Sequence, residues 1–272
     1  MTATTPVTIA AGTPVRRRRV WPVPVLLLAL TFVVPSLLAW RPVLGAETTA
    51  LIRQVLLAPN AEKIPALLPI AKLVLLGVGV LGVLGVRRFP QIVLGYYAAI
   101  LVVIALFQNT ATLPGGFALL LGNVTVQLIV AALCIRGLGS TDDTAPLLRG
   151  RLWLLAPMLL AWAYPYATVG QDAVMGGWER ILLNGAGVTY CMVTPVIAGV
   201  MLLRPAAYGA RTRLAVGALG TIFGLLNMMT WFVVYPASWW MGVLHLPLLT
   251  ISLFCLVTSW RDARTTKLPA QD

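Results

Sequence analysis

The sequence predicts an all-α polytopic transmembrane helix bundle. Three observations carry this. Hydrophobic residues make up 59% of the 272 residues and charged residues only 10%, whereas a soluble domain carries about a quarter charged. Mean hydropathy is +0.89. The apolar residues also fall into eight stretches, 21–40, 65–86, 91–108, 117–135, 152–169, 181–203, 214–234 and 239–260. Each approaches the roughly twenty residues that cross a bilayer core as a helix. Unpaired backbone groups are too costly in hydrocarbon for open strands, and these runs are too long and unbroken for barrel strands. So few charges exclude a soluble enzyme, a disordered regulator and a secreted scaffold.

Span 21–40 follows four arginines, Arg16 to Arg19, and ends near the small residues Gly45 and Ala46. That pattern also suits a signal peptide, whose removal would leave seven spans. Its length, and Trp21 and Trp40 at the two interfacial positions, favour a retained span. Segment 1–20 reads as a disordered basic tail. The connection 41–64 is the longest and contains an amphipathic stretch, Thr49 to Ala58, suited to a membrane surface. Spans 65–86 and 91–108 are joined by Arg87 and Arg88, and 117–135 follows a short uncharged turn.

The second half repeats this outline. After the polar connection 136–151 come span 152–169, a longer loop, span 181–203 with Pro195, a basic turn, span 214–234, the uncharged turn 235–238 and span 239–260. The pattern reads as a single domain over 21–260 built from two parallel four-span repeats, 21–135 and 152–260. Segment 261–272 is a short polar tail.

Charge sets the orientation. With the N-terminus inside, fifteen of the twenty Lys and Arg lie inside, four outside and one, Lys72, within a span. The acids divide evenly, four and four, so the inner side carries a net +11 and the outer none. The positive-inside rule then places both termini in the cytoplasm of a bacterial or archaeal plasma membrane. The net +12 is thus an orientation signal, reinforced by anionic lipid. It is not a nucleic-acid footprint, which needs a basic folded module.

Polar groups within the spans are the candidate site. Lys72, Asn123, Gln127, Asn184, Tyr190, Asn227 and His245 are expected about 5–15 Å below the outer surface at 1.5 Å per residue. The strong polar groups on the later spans lie on stripes of small or polar residues: Asn123, Gln127, Ala131 and Cys134; Asn184, Gly187, Cys191 and Thr194; Gly220, Gly224, Asn227 and Trp231; Ser238, Gly242, His245 and Ser252. Residues three and four apart share a helix face, so these groups face protein. Two readings stand for each. Asn, Gln and Thr bond neighbouring helices, Lys72 reaches outward or meets Glu47, Glu62, Asp172 or Glu179, and His245 bridges two helices. Alternatively the stripes converge on a polar pocket open to the outside.

The absences narrow the chemistry. No carboxylate lies in any span, around which coupled carriers usually build. There is no phosphate loop, HExxH or GxSxG. One histidine excludes a multi-histidine haem, copper or zinc site, and three separated cysteines, Cys134, Cys191 and Cys255, give no zinc or disulfide pattern; the sequence leaves the cofactor unknown.

Three functions remain. The first is a transporter or permease component for a small solute, with Pro69, Pro157, Pro195 and Pro247 breaking helices at the site. The second is an integral-membrane enzyme or lipid- or quinone-binding subunit at the outer leaflet. The third is a scaffold or anchor for a partner subunit.

Overall fold

The structure is a computed structural model, described for residues 22–43, 45–169, 172–178 and 180–265. The tail 1–20, Trp21, Glu179 and the end of the C-terminal tail lie outside the described residues, as do the side chains of 46, 167–169, 172, 173 and 265. The chain is mostly helical. In order it forms α1 (Pro22–Val33), β1 (Leu38–Ala39), α2 (Ala46–Leu57), α3 (Leu67–Leu84), α4 (Phe89–Val103), β2 (Thr110–Leu113), β3 (Gly116–Leu119) and α5 (Leu121–Gly137). It continues with α6 (Leu155–Ala163), β4 (Tyr166–Val169), β5 (Asp172–Met175), α7 (Arg180–Leu183), α8 (Tyr190–Leu203), α9 (Ala210–Met229) and α10 (Trp239–Thr265).

Among the described residues five helical segments are long and apolar enough to cross a membrane: Leu67–Leu84, Phe89–Gln108, Leu121–Ser140, Ala210–Val234 and Pro236–Arg264. A sixth arises if Arg180–Val188 and Tyr190–Leu203 count as one span, but that pair is bent by 80°. An integral membrane protein follows from these lengths.

The other expected spans differ from continuous helices. Segment 21–40 is helical only from Pro22 to Val33, because Val34 precedes Pro35 and the helical conformation is disfavoured before proline. Segment 152–169 begins as a 3₁₀ turn (Arg149–Leu154) and is α-helical only over α6. There Tyr164, before Pro165, is extended with ψ 121°. Pro69, Pro157, Pro195 and Pro247, expected to break helices, lie inside continuous ones. The first two sit in the opening turn, where the missing N–H has no partner to lose.

Short strands were not expected. The uncharged turn 109–116 extends into the hairpin β2–β3, which turns at Pro114 and Gly115, with β1 added to its free edge. Gly116 has φ 141°, and the Trp40 indole lies against Gly115 and Gly116 where side chains would clash. A second hairpin pairs β4 with β5.

One core of buried residues runs from Leu27 in α1 to Cys255 in α10. Helix α8 lies at its centre, with every residue from Tyr190 to Leu203 buried. The α9 glycine stripe permits close approach to α10. A Cβ at Gly217 would stand 2.5 Å from the Leu256 nitrogen, and one at Gly224 2.8 Å from the Leu249 Cα. One end of the bundle is strongly basic. Arg87, Arg88 and Arg204 lie between helices there, Arg149 and Arg151 in the 3₁₀ turn before α6, Arg136 at the end of α5, Arg211 and Arg213 at the start of α9, and Arg261 and Arg264 in the last turns of α10.

Candidate functional site

The sharpest departure from regular helix lies between α7 and α8. Its sequence, Asn184-Gly185-Ala186-Gly187-Val188, explains the break. Asn184 leaves the helical conformation with ψ 167°, and its Oδ1 accepts from the Ala186 N–H at 3.1 Å, capping a 3₁₀ turn. Gly187 passes so close to α3 that a Cβ would stand 2.5 Å from Ala71 C and Lys72 N. Thr189 is extended, and α8 starts at Tyr190.

Lys72 closes this break from the other side. It is fully buried, and its ammonium donates to the Ile181 carbonyl and, at 3.0 Å, to Asn184 Oδ1. Asn184 in turn donates to the Tyr164 carbonyl at 2.6 Å. The Trp162 ring centroid lies 5.2 Å from Lys72 Nζ, and the Trp162 indole donates to the Lys72 carbonyl at 3.0 Å. The cation is thus held by carbonyl dipoles and an aromatic face. Glu62 approaches the same turn, 3.1 Å from where a Gly185 Cβ would lie. Glu179 lies outside the described residues, and the side chain of Asp172 does too.

Asn123 and Gln127 meet through a third amide. Asn109 donates to Gln127 Oε1 at 2.8 Å and to the Ile104 carbonyl at 3.1 Å, and Asn123 donates to Asn109 Oδ1 at 3.0 Å. The backbone there is also irregular: the last turn of the α4 segment, Ile104–Gln108, is π-helical. Gln108 Oε1 accepts from the Tyr190 backbone N–H at 2.8 Å, joining this group to the start of α8. The Tyr190 hydroxyl is buried beside the Tyr97 and Thr194 hydroxyls, and its ring meets Phe223 edge-on at 4.9 Å.

Asn227 and His245 form a third group. Asn227 donates to the Phe223 carbonyl at 2.8 Å and to Cys191 Sγ at 3.7 Å, and accepts from the Trp231 indole at 3.3 Å. Trp231 stacks on His245 with centroids 6.4 Å apart. His245 Nδ1 donates to the Met241 carbonyl at 2.6 Å, which leaves Nε2 as the acceptor of a neutral ring. Trp231 lies in a second π-helical turn, Thr230–Val234, at the end of the α9 segment.

Six of the seven sequence-predicted residues therefore fall into three groups. Lys72 and Asn184 touch directly, Asn123 and Gln127 touch through Asn109, and Asn227 reaches His245 through Trp231. Tyr190 stands between the last two groups, bonded to Gln108 and adjacent to Cys191. Asn109, which was not among the sequence-predicted residues, is the hub of its group. Sequence reasoning also missed the tie between Tyr97 and Thr194, whose hydroxyls lie 3.0 Å apart. The signal available for Asn109 was three amides within one turn-and-helix segment.

Two clefts stand out elsewhere. One of about 270 Å³ runs between α3 and α6, and another of about 550 Å³ lies along residues 35–43. None of the seven residues lines either cleft. Among the described residues no group of three His, Cys, Asp or Glu is placed to hold a metal ion.

Compared with protein-family models, curated proteins and solved structures, the chain matches none.

Proposed function

We propose that the chain is a transporter or permease component for a small solute, with Lys72, Asn123, Gln127, Asn184, Tyr190, Asn227 and His245 forming its solute pathway. The observation that carries this is the 80° break between α7 and α8 with the Lys72 ammonium closed against it. Non-helical backbone at membrane depth is tolerated only inside protein or beside water, and carriers place solute sites at such broken helices.

The order of elements supports the repeat that the reading needs. α1, α2, a 3₁₀ turn, α3, α4 with its π-turn and α5 are matched by α6, α7, a 3₁₀ turn, α8, α9 with its π-turn and α10. Lys72–Asn184, Gln108–Tyr190 and Tyr97–Thr194 all join one half to the other. Parallel repeats bind solute at that interface. On this reading α1 and α6 complete eight crossing segments, both termini and the basic end are cytoplasmic, and the membrane is a bacterial or archaeal plasma membrane.

A scaffold function is the second reading. It is favoured by how fully the polar groups bond one another, as helix glue does. The outer-leaflet enzyme or lipid- or quinone-binding reading would use the Nε2 of His245 beside Asn227 to hold a polar head.

Cysteine accessibility separates these. The three native cysteines are replaced, single cysteines are placed at 123, 184, 227 and 245, and intact cells are treated with a membrane-impermeant maleimide. Thiols react as thiolates and need water. Labelling at all four positions supports the pathway. No labelling, with Asp172→Cys labelled as control, removes it and leaves the scaffold.

A further inference from the structure

The cleft between α3 and α6 is lined by Leu76, Gly79, Val80 and Leu84 on one wall, Leu155, Met158 and Leu159 on the other, and Val196 of α8 as its floor. Trp162 closes one end, its indole N–H already given to Lys72. The lining presents no free polar group. Leu84 is 67% exposed and Leu159 57%, so the cleft opens sideways, where a membrane places hydrocarbon. From Leu76 to Leu84 it runs about 12 Å along α3, at 1.5 Å per residue. An empty cleft of this kind forfeits dispersion contacts along its whole lining, so a chain-shaped apolar occupant is favoured.

The other end of the cleft meets the basic end of the bundle. Arg87 lies three positions beyond Leu84, and Arg149 six before Leu155. Both are exposed, and among the described residues neither side chain makes a hydrogen bond or ion pair. The acids nearby are engaged: Asp143 accepts from the Arg88 backbone N–H at 3.1 Å and Asp142 from Thr144 at 2.6 Å. Arg204 and Arg151 are likewise committed, to Val83 and Ala145 and to Leu202 respectively.

We propose that this cleft is a binding site for an anionic phospholipid of the leaflet at the basic end, its acyl chain between α3 and α6 and its phosphate at Arg87 and Arg149. Hydrocarbon alone would fill the cleft with any lipid. Arg87 and Arg149, which follow the last α3 residue and precede the first α6 residue of its lining, favour a negative headgroup there, each about five-fold. The inference is independent of any transport function.

The test uses the full chain in phosphatidylcholine nanodiscs with trace spin-labelled phosphatidylglycerol or spin-labelled phosphatidylcholine. Electron spin resonance reads the motionally restricted fraction of each. The expected result is a several-fold preference for phosphatidylglycerol. Arg87→Gln with Arg149→Gln should erase most of it, and Val80→Trp, which fills the cleft from a half-exposed position, should do the same with both arginines intact. Circular dichroism checks that the variants are folded. Equal restriction of the two lipids in the native chain would overturn the site. So would a preference that survives Val80→Trp, since the lipid would then be held by the basic end at large.

Discussion

The Lys72 ammonium donates to Asn184 Oδ1 at 3.0 Å, and 112 positions of chain separate the two residues. Lys72 also holds the Ile181 carbonyl, and Asn184 holds Ala186 N–H and the Tyr164 carbonyl. Replacing Lys72 by Met leaves Asn184 Oδ1 and the Ile181 carbonyl short of a donor. A buried group left unsatisfied costs about 1–3 kcal/mol. Lys72→Met and Asn184→Ala should each destabilise by about that amount in thermal unfolding of the detergent-solubilised protein. The double variant should cost less than the two losses together, because both act on one contact. Strict additivity would show that the two side chains work separately.

Asn109 should prove more costly to remove than Asn123. It is 1% exposed and joins Gln127, Asn123 and the Ile104 carbonyl, whereas Asn123 is half-buried and makes the single side-chain bond to Asn109. Asn109→Ala strands the buried Gln127 oxygen and should lower stability by about 1–3 kcal/mol. Asn123→Ala should cost about 1 kcal/mol or less. Equal losses in an unfolding titration would contradict the hub arrangement.

These two cases mark what could be read in the sequence. Membrane helices were legible because burial in hydrocarbon leaves long apolar runs. The stripes of Asn227 and His245 were legible because i, i+3 and i+4 spacing fixes a face. Contacts between distant segments were not, since nothing in the spacing of Lys72 pairs it with Asn184. Proline also misled. Pro195 and Pro247 sit inside helices, while the breaks fall before Pro35 and Pro165 and at the Asn184 cap. Whether a proline ends a helix depends on how neighbouring elements satisfy the carbonyls it frees, which is a tertiary property.

Glycines of α9 and α3 should respond in opposite ways. A Cβ at Gly217 meets the α10 backbone at Leu256, which cannot move aside alone, so Gly217→Leu should separate α9 from α10 and destabilise by about 1–3 kcal/mol. A Cβ added at Gly77 on α3 would meet nothing within 4 Å. Gly77→Ala should be neutral or stabilise by up to about 1 kcal/mol through helix propensity. Thermal melts of the two variants check both directions.

The loop at the basic end should respond to acid through Asp142. The Thr144 hydroxyl and backbone N–H, both donating to Asp142 Oδ1, hold its carboxyl below the ordinary carboxylate range. A folded value below the unfolded one means the stabilising contribution is present above the ordinary carboxylate range. It is lost as pH falls through the lowered value. Thr144→Val removes one donor, so the Asp142 carboxyl carbon should titrate at higher pH in an NMR experiment. An unmoved midpoint would assign the shift to another group.

Arg204 should tolerate no substitution by lysine. Its guanidinium donates to Ala145 O at 2.7 Å and Val83 O at 3.0 Å, and lies over the Phe89 ring at 5.1 Å. These contacts tie the end of α3 to the loop 141–148 and to the start of α4. They require a planar fork with two separated donors and a flat face for the ring. The guanidinium also lies against Gly85, which ends α3 with φ 69°, so the site accepts a flat group and little else. A lysine ammonium reaches one carbonyl at a time and cannot stack, leaving the other acceptor unsatisfied. Arg204→Lys should therefore recover less than half of the stability lost in Arg204→Ala. Protease cleavage within 141–148 should rise in both variants, because that loop loses its anchor. Full rescue by lysine would show that the positive charge alone, and not the fork, holds this corner together.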